Sequence, residues 1–334
     1  MKGLEKWQSL LRYDPLPQLL SSKNQAIILF TKRDLRSERS VQVETLWKLP
    51  IAVKTVERQQ SDGSWKYHGG KPDIRSQQNY NQLETYRILG ELVEKYGFNN
   101  KHAVIRKAAD FLLKFQTSKG DFRGIYGNQY SPNYTAAITE LLIKAGYEND
   151  PHTEKGFRWL LSGRQNDGGW AIASRTKNIK IAVAPLDAEA VQPDRTRSFS
   201  HRVTGVVLRA FAAHSKYRSS SEAKAAGELL TSRFFKRDVY PDRAAVGFWT
   251  KISYPFWFTD LLSSLDSLSL LGFKMEDQQV KNAIEWFVDK HDKSGLWKGS
   301  ILRGKDKDLN LWICLAICRV LRRFCTNTNS ERYA

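Results

Sequence analysis

From Leu46 onward the apolar residues recur at helical spacing, in two kinds of stretch. One kind is apolar along a single face, as in Val104 to Phe115 and Val280 to Val288. The other is apolar almost all the way round, as in Leu261 to Phe273 and Leu309 to Phe324, the mark of a buried helix. Their alternation predicts helix pairs: an inner ring of buried helices inside an outer ring of amphipathic ones.

Four segments punctuate the array, each a polar run, a glycine and an aromatic: Gln60 to Trp65, Gln116 to Phe122, Gln165 to Trp170 and His291 to Trp297. The inner helices that follow align on Thr85, Thr135, Thr204, Thr259 and Asn310, at separations of 50, 69, 55 and 51 residues. Such spacing holds two helices of about 15 residues and two connections. The expected fold class is therefore all-α, an array of about five helix pairs over residues 46–325. Gly97, Gly146 and Gly272, each before an aromatic, are expected at helix C-termini. Residues 1–45 are expected to be helical but lack the motif, and read as an N-terminal cap. Residues 326–334 read as a flexible tail.

Two places break the period. Residues 171–198 form a long connection carrying Arg175, Lys177, Lys180, Pro185, Pro193, Arg195 and Arg197, the composition of a lid, a binding loop or disorder. In the fourth unit, Arg237 to Pro241 and Phe248-Trp249 replace the glycine-aromatic segment, so its turn is rebuilt.

Composition narrows the setting. A chain of 334 residues with 41% hydrophobic content can bury a large core. No stretch approaches the ~18 consecutive apolar residues of a membrane span, and Met1 to Gln18 lacks the apolar core of a signal peptide. Three cysteines near the C-terminus form no disulfide framework, and together these features predict a cytoplasmic protein. The net charge of +18 predicts attraction to an anionic membrane surface or an acidic polymer, but there is no nucleic-acid-binding signature.

The segments Gln60 to Trp65 and Gln165 to Trp170, with the Thr-led inner helices, resemble the QW-type repeats of the prenyltransferase and squalene oxidase repeat superfamily over roughly residues 46–324. That superfamily includes terpenoid cyclases and protein prenyltransferase β-subunits. The resemblance implies an α/α toroid around an aromatic-lined cavity and an apolar, isoprenoid ligand. The class II cyclase motif Asp-x-Asp-Asp is absent; the nearest text is Asp306-Lys307-Asp308, which suits a charged loop before a helix. Where the zinc-binding histidine of prenyltransferases would follow Gly304-Lys305, this chain has Leu311, which cannot bind metal.

Several residues invite chemistry. Tyr254, Phe256, Trp257 and Phe258 cluster before an inner helix and are expected to line the cavity, with Asp260 either capping the helix or acting as a proton donor. His201 and Arg202 lie at the equivalent rim of the third inner helix, where His201 is a candidate acid or base. Asp187, Glu189 and Asp194 form an acidic cluster beside Arg195 and Arg197. Cys314, Cys318 and Cys325 share a helix face, but the last two are about 10 Å apart along the axis, too far to share a zinc. No cofactor or metal is expected. Three functions remain open: an isoprenoid-binding, cyclase-like protein, a polysaccharide lyase using Tyr254, His201 and Arg202 in a groove, or a non-catalytic repeat scaffold.

Overall fold

The computed structural model describes residues 5–38, 42–69, 76–179, 188–300 and 305–326. Among these residues the regular structure is helical: α1 (Leu16–Leu20), α2 (Gln25–Arg36), α3 (Pro50–Val56), α4 (Gln77–Tyr96), α5 (Ala103–Leu113), α6 (Pro132–Leu142), α7 (Pro151–Ser162), α8 (Ala173–Thr176), α9 (His201–Ala213), α10 (Ser221–Thr231), α11 (Leu261–Leu270), α12 (Gln278–Lys290) and α13 (Leu309–Thr326).

Helices α2, α4, α6, α9, α11 and α13 touch in that order, and α13 returns to touch α2. These contacts close an inner ring. Outside it, α1, α3, α5, α7, α10 and α12 each pack on an inner helix, which completes an α/α toroid. The contrast in patterning is the cause: every residue of α9 and α11 is buried, whereas α5 buries Ile105, Ala108, Ala109, Phe111 and Leu112 along one stripe.

The five pairs expected after residue 46 are joined by a sixth, α1 with α2, from the segment expected as a cap. Helix α2 buries Ala26, Ile27, Phe30 and Leu35 between α13 and α4, whose apolar surfaces would otherwise face water.

The punctuating turns are built alike. Gly63, Gly120, Gly168 and Gly295 all have φ between 77° and 109°, and a Cβ on Gly63 would collide with the Lys107 carbonyl. Two residues on, the aromatic is buried: Trp65, Phe122, Trp170 and Trp297. The indole N–H of Trp65, Trp170 and Trp297 donates to the carbonyl ten residues earlier, near the end of the preceding outer helix (2.8, 2.7 and 2.7 Å to Thr55, Leu160 and Phe287). The backbone N–H of Trp65, Phe122 and Trp170 donates to Thr85, Thr135 and Thr204 at 2.9 to 3.0 Å, locking each turn to its inner helix.

The register of the glutamine differs from expectation. Gln59, one residue before the expected Gln60, carries the cross-link, its amide donating to the Gly63 and Val104 carbonyls; Gln116 does the same to Gly120 and His152. In the rebuilt fourth unit Trp249 takes the tryptophan's place, its N–H donating to the Lys236 carbonyl at 2.9 Å. Gly97, Gly146 and Gly272 have φ of 63°, 95° and 80°, as expected of helix ends. No helix among the described residues is long and apolar enough to cross a membrane.

Candidate functional site

A groove of about 890 Å³ opens at one mouth of the ring, between α2, α3, α4, the segment before α13 and residues 253–257. Its lining includes the aromatics Tyr96, Tyr254, Trp257 and Trp312, of which all but the half-buried Trp257 are buried. Around them stand four exposed cations, Lys23, Arg58, Lys305 and Lys307, with no ion pair to any described residue. Most other charges of the lining are engaged: Lys95 pairs with Asp306 at 2.8 Å, Arg87 with Glu84 at 3.2 Å, and Asp308 accepts from Asn24 at 2.8 Å, while the half-buried Glu91 has no ion pair among the described residues. Burial, with Glu91, Asp306 and Asp308 nearby, pushes the Tyr96 phenol up to about 12.

Of the expected cavity residues, two reach this groove. Tyr254 stacks on Trp312 with centroids 5.9 Å apart, and its hydroxyl donates to the Glu94 carbonyl at 3.2 Å. Trp257 lies against Gly90 of α4 and meets Tyr86 edge-on at 5.7 Å. Phe256 and Phe258 are buried and do not line the groove: Phe256 meets the edge of Tyr254, and Phe258 packs on Phe248.

Asp260 is fully buried at the N-terminus of α11 in a capping box with Ser263. Its carboxylate accepts from the Ser263 N–H at 2.8 Å and the Ser253 N–H at 3.3 Å, and burial lifts its pKa to about 6. It does not line the groove.

His201 stacks on Trp249 at 4.6 Å, and its Nδ1 lies 3.3 Å from Asp238. Burial drives both groups toward neutrality, lowering His201 to about 3 and raising Asp238. At neutral pH the imidazole is thus uncharged, and its contact with Asp238 is not an ion pair. Arg202 donates to the carbonyls of Thr259 (2.5 Å), Arg243 (3.0 Å) and Ala245 (3.3 Å), binding the rebuilt turn to the approach of α11. The structure therefore does not bring Tyr254, His201 and Arg202 together in a groove, as the lyase reading required. Sequence proximity to inner-helix starts suggested a shared rim, but two of the three side chains turn into packing.

In the acidic cluster, Asp194 is half-buried and held low by Thr196, Glu189 contributes its carbonyl to Gln129, and Asp187 lies outside the described residues with Lys180 and Pro185. Cys314 and Cys318 are buried in α13, Cys325 is half-buried, and the described residues contain no cluster of three metal-ligating side chains.

The ring interior holds a chain of buried charges that sequence reading missed. Arg209 of α9 donates Nε to Glu140 of α6 at 2.9 Å; Glu140 also binds Lys144, which reaches Glu94 of α4. Glu94 meets the Tyr254 hydroxyl, which accepts from Arg319 of α13 at 3.3 Å, and Arg319 pairs with Asp34 of α2 at 2.5 Å. An arginine in the middle of an apolar helix, as at Arg209, was the available signal. Lys23 and Arg58 carried none, since only the fold puts them beside residues 305–307.

The model of the squalene-hopene cyclase C-terminal domain matches residues 81–182 and 135–310, together well over half of the chain. No curated protein matches the sequence. Among solved structures, the type II terpene cyclase MstE from Scytonema is similar at 13% identity and a TM-score of 0.37, covering 84% of this chain and 97% of its own. A glycoside hydrolase family 76 mannosidase from Bacteroides thetaiotaomicron is similar at 12% identity and 0.46, covering 89% and 84%, and a polysaccharide lyase at 10% and 0.45, covering 90% of each.

Proposed function

The chain belongs to the squalene-hopene cyclase C-terminal domain family, and from that premise we propose that its groove binds an isoprenoid or similarly apolar molecule carrying an anionic head group. One observation carries the reading: buried aromatics share the groove's lining with exposed cations that have no ion pair among the described residues. Aromatic surface gains from covering by an apolar chain. The rim cations gain from a phosphate or carboxylate, without first having to break an internal ion pair. The groove has the volume of a small-ligand site.

The reading is one of binding. Asp260 has the raised pKa of a proton donor, but both of its oxygens hold backbone N–H groups away from the groove. Its role here is to fix the start of α11, and with it the segment that carries Tyr254 and Trp257.

Thermal unfolding against farnesyl diphosphate, farnesol, an oligogalacturonate and anionic vesicles, at low and high salt, tests the assignment. Ligand at ~100 times its Kd stabilises by about 2.7 kcal/mol, a shift of a few degrees for a chain this size. Farnesyl diphosphate should shift the protein strongly and farnesol weakly. The paired substitution Lys305→Glu, Lys307→Glu should abolish the difference between them. A shift with oligogalacturonate or vesicles alone, lost at high salt, would replace the isoprenoid by a polyanion or a membrane, and no shift with any probe would leave a scaffold. Formation of a cyclised product that Asp260→Asn abolishes would overturn the purely binding role.

A further inference from the structure

Arg209 is almost wholly buried, at 3% exposure, yet only its Nε has a partner, Glu140 at 2.9 Å. Nη1 and Nη2 are buried without a hydrogen-bond partner among the described residues. An ionised guanidinium left this way is costly, because each desolvated N–H forfeits the bond it made to water. Losing the proton is no escape: burial opposes the charge, but Glu140, Tyr86 and Asp260 together outweigh it and hold the pKa above the usual arginine range.

The geometry of the unused donors is specific. Glu140 takes the Nε side of the fork, so the Nη1/Nη2 edge is the one left over, and that edge presents two N–H groups side by side. Two oxygens of a carboxylate or phosphate match it. Tyr86 lies beside the guanidinium, within reach of a long side-chain hydrogen bond from it; burial nevertheless keeps its phenol protonated, with a pKa raised to about 12 against the charge and the bond of Arg209. Its hydroxyl is thus a further donor. The negative groups of the interior are already committed: Glu140 serves Arg209 and Lys144, Glu94 serves Lys144 and Tyr254, and Asp34 serves Arg319 and Arg33.

We propose that Arg209, with Tyr86, forms an oxyanion-binding site inside the ring, distinct from the cations at the groove rim. Its way in passes Trp257, which lines the groove and meets Tyr86 edge-on at 5.7 Å. The Trp257 indole makes no hydrogen bond among the described residues and is held by packing against Gly90, Leu141 and Tyr86. A rotamer change can therefore open the path without breaking a polar contact. The bound group is either a free oxyanion or the acidic end of a molecule lying in the groove.

Thermal unfolding at constant ionic strength separates the sources. Acetate or phosphate alone should raise the wild-type Tm by several degrees if the anion is free. If the acidic group belongs to a groove ligand, farnesoic acid should exceed farnesol while acetate and phosphate do little. In either case the gain should vanish in Arg209→Met and survive Lys305→Glu, Lys307→Glu, so failure here is distinct from failure of the groove assignment. Should Arg209→Met not fold, Arg209→Lys and Tyr86→Phe serve, each expected to weaken the response at least tenfold in concentration. Crystals soaked in selenate give a direct reading: an anomalous peak within hydrogen-bond distance of Nη1 and Nη2 is expected. Equal responses in wild type and the Arg209 variants would overturn the site, as would the absence of a peak at the guanidinium in a protein that does respond to free acetate or phosphate.

Discussion

At the groove, Lys23, Arg58, Lys305 and Lys307 stand in solvent over buried aromatic rings; inside the ring, Lys144, Arg209 and Arg319 sit out of reach of water, each against a carboxylate. The residue types are the same in both places, and only their depth differs. A solvated lysine costs nothing while it waits for a ligand, whereas a buried arginine must be paired at once or destabilise the fold. Positive charge is thus available for recognition at the mouth and committed to structure inside, with the outer edge of Arg209 as the exception.

The sharpest way to break this contrast is Glu140→Ala, which strips both Arg209 and Lys144 of a buried counter-charge. Loss of about 3–5 kcal/mol is expected in urea unfolding; a loss below about 1 kcal/mol would mean that the interior is wet and the contrast false.

Acid titration sharpens it next, because the interior keeps some groups neutral. His201, held near 3, contributes stability that is complete above its unfolded pKa of about 6.5 and is lost as pH falls toward 3. Asp260, raised to about 6, works the other way: its contribution is complete below about 4 and is lost as pH rises through 6. Asp238, also raised by burial, adds to that second side. Between pH 7 and 4 these effects, of the order of a few kcal/mol each, oppose one another. His201→Phe should therefore make the protein relatively more stable on acidification, and Asp260→Asn should steepen its acid loss. Unfolding free energies at pH 7, 5.5 and 4.5 measure both, and parallel curves for all three proteins would refute the burial of these groups.

A smaller effect is expected at the turns. Trp170→Phe keeps an aromatic ring but removes the indole bond to the buried Leu160 carbonyl, which keeps only the Gly163 N–H it shares with Trp159, at a cost of about 0.5–1.5 kcal/mol. The smallest belongs to the mouth. Lys305→Glu with Lys307→Glu should change stability by no more than about 0.5 kcal/mol, since these exposed side chains pair with nothing described. A larger destabilisation would show that the rim charges are structural after all.

The repeat was legible because its signals are local. A glycine that must take positive φ, an aromatic two residues later and a threonine one helix further on are each set by backbone geometry within a single unit. Even the register of Gln59 can be read once Gln116 is aligned on its glycine, four residues before Gly120 as Gln59 is before Gly63. The capping alternative for Asp260 was legible for the same reason, since a carboxylate before an apolar helix finds its N–H groups within three residues.

The candidate sites were not legible, because they are made of residues from distant parts of the chain. Tyr254 and Trp257 were singled out as aromatics, but the cations that share their groove come from just before α2, just after α3 and the approach to α13. His201 and Arg202 looked equivalent to that rim, yet Asp238, Trp249 and Thr259 capture them. The sequence by itself determined the helix pairs, their turns and the excess of positive charge. Tertiary structure alone decided that α2 closes the ring, which cations face solvent and which are paired, and that the outer edge of Arg209 makes no close hydrogen bond to any described residue. Periodicity fixes which face of a helix is buried, but the partner of a buried charge is a neighbour in space.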